Sequence, residues 1–193
     1  MNYDLLMEEQ IKNMNEGSTL LMHACCAPCS SACLERLGNY FDISILYYNP
    51  NITDKDEYLK RVEDIKKFIS GFKTKYPIKL IEGRYDPKEF FEIAKGLEDE
   101  PERGKRCFEC YKLRLEETAK IASEKEFDYF VHILFIKQQD LVHFFVQQKW
   151  KKERNIIPIN YVNLVYFMKI YPIFDSSFFV VFCVFNKTLN FII

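Results

Sequence analysis

From residue 131 to residue 193 the chain has no glycine and no alanine, although ten of its eighteen phenylalanines fall there. A stretch without either small residue has poor material for tight turns and close backbone packing. All six glycines and every alanine lie in the first 130 residues, which carry 20 Lys+Arg against 25 Asp+Glu. The composition therefore breaks at a seam near Val131. It divides the chain into a polar N-terminal extension (1–18), an ordinary globular region (19–130) and an atypical tail (131–193). Out-of-frame or degraded translation of A/T-rich DNA is the favoured origin of the tail, with a lineage-specific extension as the alternative.

Other absences narrow the function classes. The apolar run FFVVFCVF, Phe178–Phe185, has eight residues, against the ~20 needed to cross a bilayer, so no membrane span is expected. A formal net charge of −1 gives no global field to attract nucleic acid or membrane. The first 18 residues show no basic n-region followed by an apolar h-region and a small-residue cleavage site, so the chain reads as cytoplasmic. The odd count of seven cysteines fits poorly with a complete set of disulfides. In a reducing compartment such thiols more often bind metal or do chemistry.

Those cysteines are what the sequence does have. Leu20 to Ser31 reads LLMHACCAPCSS, with Cys25 and Cys26 side by side, Cys29 after Ala-Pro, and Cys33 beyond; Cys107-x-x-Cys110 follows far along the chain.

Between residues 19 and 134 strand and helix signals alternate. Thr19–Cys25 is a short apolar run suited to a buried strand, and Ser30–Leu37 has helical apolar spacing closed by Gly38. Phe41–Tyr48 is rich in β-formers and stops at Asn49-Pro50. Thr53 is the expected cap of a helix running to Gly71. Ile78–Glu82 reads as a third strand, Asp86-Pro87 as the start of a helix, Cys110–Ser123 as another helix and Phe127–Leu134 as a fourth strand. Such alternation predicts an α/β fold with a parallel sheet and helices on both faces. Sites in these folds lie at the carboxyl ends of the strands, where Cys25 and Cys26 fall.

As ligands, thiolates select zinc, Cu(I) or iron–sulfur clusters. Cys107-x-x-Cys110 can bring two sulfurs to one centre. Cys25 and Cys26 can join it only if the chain turns there, because adjacent strand residues face opposite ways. Together they supply the four thiolates of a tetrahedral zinc or a four-iron cluster, and the vicinal pair at a strand end favours the cluster. Cys29 is a candidate additional ligand, helix cap or free thiol. Cys33 reads as buried core, and Cys183 has no assigned role. His23 reads as a core histidine before a proton donor, with Tyr111 as another donor candidate.

H-x-C-C-A-P-C-S (His23 to Ser30), Y-N-P-N-I (Tyr48 to Ile52) with Tyr58 and Arg61, and R-C-x-x-C-Y-x-x-R-L (Arg106 to Leu115) together resemble epoxyqueuosine reductase of the QueH family, over about residues 20–130. The resemblance implies a HUP-like, Rossmann-type domain holding a [4Fe-4S] cluster on Cys25, Cys26, Cys107 and Cys110. It implies the last step of queuosine synthesis, cobalamin-independent reduction of epoxyqueuosine at the wobble position of a tRNA. The electron donor is left open. Past Val131 the family's Ser/Thr-rich turn, its S-P-x-K motif and its C-terminal C-x-C pair have no counterpart. A non-functional remnant of such a reductase and a zinc-stabilised nucleic-acid-binding module are the alternatives. An ATP-dependent tRNA-modifying enzyme would want a Gly/Ser-rich phosphate loop where this chain has Cys-Cys-Ala-Pro-Cys.

For tRNA contact, Lys105, Arg106, Lys112 and Arg114 flank the second cysteine pair, and Lys60, Arg61, Lys66 and Lys67 form a second run. Glu57–Arg61 and Glu63–Lys67 have the spacing to neutralise part of that run. Tyr47, Tyr48 and Asn49-Pro50 end a strand beside the expected site. Substrate contact and strand-end packing are both open to them.

Overall fold

A computed structural model describes residues 11–102, 104–134, 165–170 and 178–183; the side chains of Cys29 and Ala32, and those beyond residue 132, fall outside the description. Its sheet has six strands in the order β3-β2-β1-β4-β6-β5. Strands β1 (Thr19–His23), β2 (Asp42–Tyr47), β3 (Lys79–Glu82) and β4 (Tyr129–Leu134) are mutually parallel. Around the sheet lie the helices α1 (Ala27–Leu37), α2 (Lys55–Ser70), α3 (Pro87–Ala94) and α4 (Lys105–Glu124).

β1, β2 and β4 are buried on both faces, so their side chains alternate between two cores. Leu20, Met22, Ile43, Ile45, Tyr47 and Val131 pack against Cys33, Leu34 and Leu37 of α1 and Tyr58, Val62 and Ile65 of α2. Leu21, Leu46, Tyr48 and Phe130 pack the other way, against Leu115 and Ala122 of α4. This is the expected α/β architecture. Because β2 lies on one side of β1 and β4 on the other, the chain order reverses there, and the crevice beyond the carboxyl ends of β1 and β4 is the topological switch point.

Helix boundaries shift the reading of the cysteines. α1 begins at Ala27, three residues before the expected Ser30, because Pro28 sits in a first turn where a missing N–H is harmless. α4 begins at Lys105, well before the expected Cys110, so Cys107 and Cys110 both stand in the first two turns of the helix. At the start of α2 the cap is Asp54, whose carboxylate accepts from the Glu57 N–H at 2.8 Å, and not Thr53. Asp86 caps α3 ahead of Pro87, as expected.

The compositional seam falls inside β4, where Val131 and His132 are fully buried. Two tail segments, β5 (Val165–Ile170) and β6 (Phe178–Cys183), extend the sheet, β6 antiparallel to β4 and β5 antiparallel to β6. The apolar run FFVVFC is thus a strand. Among the described residues no helix is long and apolar enough to cross a membrane. At the other end, Ile11 and Met14 of the polar N-terminal segment pack against the α1–α2 core.

Candidate functional site

β1 runs out at His23, the Ala24 N–H donates to the Leu46 carbonyl at 3.1 Å, and the chain bends at Cys25 before entering α1. The turn that joint use of Cys25 and Cys26 requires is therefore present. Ser30 holds it from the helix side, donating its hydroxyl to the Cys26 carbonyl at 3.0 Å. α4 leads directly into β4, so its N-terminal turns lie at the carboxyl end of the sheet. Both cysteine pairs thus belong to the same end of the domain.

A buried polar chain connects them. The Asn49 amide, just past β2 and fully buried, donates to the Ala24 carbonyl at 3.0 Å. Arg114, also buried, reaches the Asn49 side-chain oxygen through Nη1 at 3.5 Å and the Cys110 carbonyl through Nε at 3.3 Å. Its guanidinium is close enough to the Cys110 thiol to pull its pKa down against burial, and it lies 5.3 Å from the Tyr111 ring centroid. The residue before the vicinal cysteines is therefore tied to the helix that carries the second pair.

The thiols themselves differ. Cys25 and Cys107 are half-buried thiols and Cys110 is a buried one, none of the three in a disulfide. Cys26 is disulfide-bonded, so ligation through its thiolate requires that bond to be reduced. Burial pushes the Cys110 thiol up, Arg114 pulls it back, and the neighbouring Cys107 pushes it up again. Cys107 thus lies close enough to Cys110 to act on it, and Cys25 close enough to Tyr47, at the end of β2, to help raise its phenol. Among the described residues no three His, Cys, Asp or Glu side chains converge closely enough to hold a metal ion. The Cys29 backbone lies in the first turn of α1 and its side chain is outside the described residues. Cys33 is fully buried in the α1–α2 core, its thiol pushed up to about 12 by burial, which is the behaviour of a core residue.

The proton-donor candidates fare unequally. His23 is fully buried, donates from Nε2 to the Tyr48 carbonyl at 2.8 Å and stacks on His132 with centroids 4.1 Å apart. Desolvation, reinforced by Arg114, lowers its pKa to about 3, so it is a neutral core imidazole at physiological pH. Tyr111 is half-buried and its phenol is pushed up by burial, so it keeps its proton.

The strand-end aromatics belong to the interior. Tyr48 is fully buried and donates its hydroxyl to Glu89 of α3 at 2.7 Å, while Arg84 lies over its ring and pairs with Glu89 and Glu117. Of the two basic runs, Arg61 pairs with Glu57 as spacing suggested, but Glu63 pairs with Lys66 and not Lys67, and Lys66 also reaches Glu82 at 2.9 Å. Lys105 remains exposed at the start of α4, whereas Arg106 donates to the Glu98 carbonyl at 2.7 Å and Lys112 lies 3.8 Å from Glu109. Burial removes Arg114 from any phosphate-contacting role and gives it an internal one.

Comparison with known proteins decides the family. The family profile described as epoxyqueuosine reductase QueH matches residues 20–164. The chain belongs to this family. The QueH match continues beyond residue 130, where sequence resemblance alone seemed to stop, and takes in all of β4. The chain is 44% identical over 137 residues to epoxyqueuosine reductase QueH of Staphylococcus epidermidis, covering 67% of this chain and 58% of that protein. It is 42% identical over 141 residues to the Streptococcus pyogenes serotype M1 protein of the same name, covering 70% and 55%. For that of Staphylococcus aureus the identity is 40% over 137 residues, covering 67% and 57%. The chain therefore spans little more than half the length of these curated relatives.

Proposed function

We propose that this protein is an epoxyqueuosine reductase, an oxidoreductase acting on epoxyqueuosine at the wobble position of a tRNA and yielding queuosine. The observation that carries the reading is the family match across both cysteine pairs, on a fold that sets those pairs at one end of a parallel sheet.

A [4Fe-4S] cluster is the cofactor we assign to Cys25, Cys26, Cys107 and Cys110, with Cys29 as a candidate further ligand and with no cobalamin. The donor chemistry fits such a group, since soft thiolates suit iron–sulfur centres and a buried guanidinium beside Cys110 suits an anionic one. When bound, the cluster supplies electrons one at a time to a reduction that needs two electrons and protons and releases the epoxide oxygen as water. The chain's own residues do the rest. Ser30 and Asn49 fix the bend that presents Cys25 and Cys26. Arg114 fixes the turn of α4 that bears Cys110. The buried, neutral His23 fills the floor between β1 and β4 without donating a proton as imidazolium. The tRNA is expected to approach from the exposed side of α4, with Lys105 as an exposed cation close to the cysteines along the chain. The cytoplasm, where tRNA and reduced thiols meet, is the compartment that suits this chemistry.

Expression in a strain that accumulates epoxyqueuosine, scored on its tRNA nucleosides, tests the reading. Conversion to queuosine supports it. Persistent accumulation despite soluble protein favours the non-functional remnant, and stoichiometric zinc in anaerobically purified protein favours the zinc module.

A further inference from the structure

Two charged residues are buried among the described residues, Arg114 and Glu117. Glu117 is answered by Arg84. Arg114 is answered by no carboxylate among the described residues: its partners are the Cys110 carbonyl, the Asn49 side-chain oxygen at the long distance of 3.5 Å and the face of Tyr111. Each is formally neutral. A guanidinium keeps its charge when buried, and burying a charge without a counter-charge is costly. Three neutral contacts do not explain why the fold keeps this cation 6% exposed, one helical turn from Cys110. An anion arriving at that place does.

We propose that Arg114 is a positioning residue whose guanidinium is the built-in counter-charge of an anionic thiolate-bound centre on Cys107 and Cys110, and that it raises the reduction potential of that centre. The proposal rests on the iron–sulfur reading above. A cluster held by thiolates is anionic and becomes more so when it takes up an electron, so a fixed positive charge nearby favours the reduced form. The same charge opposes loss of iron, because it stabilises the thiolates that hold it. Arg114 also touches Asn49, which holds Ala24, so the counter-charge is anchored to both chain segments that bring cysteines.

The test compares wild type with Arg114→Lys, Arg114→Met and Arg114→Gln, first as apoprotein and then after anaerobic reconstitution with iron and sulfide. Methionine fills similar volume without a polar head and glutamine keeps hydrogen bonding, so the two neutral variants do not share one route to misfolding. Apo Arg114→Met is expected to melt at or above wild type, because it removes an unanswered charge. After loading, both neutral variants are expected to titrate with dithionite at more negative potential and to lose iron faster to a chelator, and Arg114→Lys to stay near wild type. Unchanged potentials in the neutral variants overturn the proposal, as does failure of both to fold. If wild type itself takes up no iron and sulfide, the iron–sulfur reading falls, a result distinct from a loaded protein whose potential ignores Arg114.

Discussion

The Asn49 side chain donates to the Ala24 carbonyl at 3.0 Å, so a residue just past β2 grips the last residue before the vicinal cysteines. Both groups are fully buried, and the other end of the same amide faces Arg114. Asn49→Ala leaves the carbonyl without this donor and Arg114 without this acceptor. A destabilisation of about 1–3 kcal/mol is expected in urea denaturation, together with faster loss of reconstituted iron.

Cys33 serves as a control for the other thiols. Cys33→Ser puts a hydroxyl into the α1–α2 core and is expected to destabilise the fold by about 1–3 kcal/mol, leaving iron and sulfide uptake unchanged. In native protein at pH 8, iodoacetamide should spare Cys33, whose thiol burial has pushed up to about 12, and label the half-exposed Cys107. Peptide mass spectrometry reads both.

Stability should fall with acid partly through His23. Its folded pKa is lowered to about 3 from an ordinary 6.5, so the unfolded chain binds the proton more readily. The contribution is fully present above pH 6.5 and is lost as pH falls towards 3. His23→Phe, which cannot protonate, is expected to lose less stability than wild type between pH 7 and pH 5. Equal losses in urea titrations at the two pH values would remove His23 from this account.

Gly83 packs closely against the end of β2. Its N–H donates to the Tyr47 carbonyl at 2.9 Å, and a Cβ there would lie 2.7 Å from Tyr48 Cβ and 3.0 Å from the Tyr47 oxygen. Because backbone and a buried Cβ cannot swing aside, Gly83→Ala is expected to cost about 1–3 kcal/mol. Gly96, where an added Cβ meets nothing within 4 Å, has a positive φ of 78°, so alanine there tests backbone strain without crowding.

The sheet was legible because β1, β2 and β4 are buried on both faces and the helices on one. Runs such as Leu20–Met22 and Ile43–Leu46 read as strands, and Asp86-Pro87 announced a helix by its own chemistry. The start of α4 was hidden because Gly104 caps it without any side-chain hydrogen bond, so the helix was read only from Cys110 and Cys107 fell ahead of it. Arg114 looked like a surface cation because helical spacing alone does not say which charged residue faces inward. Its position four residues after Cys110, on the same helical face, was the available signal. Tyr48 and Asn49 offered no such clue: burial of both depends on Glu89 and Arg114, which come from distant helices.

The most direct test is the iron and acid-labile sulfide content of anaerobically reconstituted protein, with Cys25, Cys26, Cys107 and Cys110 each changed to serine and Cys33→Ser as control. About four irons and four sulfides per chain are expected in wild type and in the control, with a clear loss in each of the other four variants. Full cluster content surviving the loss of any one of those sulfurs, or zinc in place of iron and sulfide, would contradict a shared centre at the ends of β1 and α4.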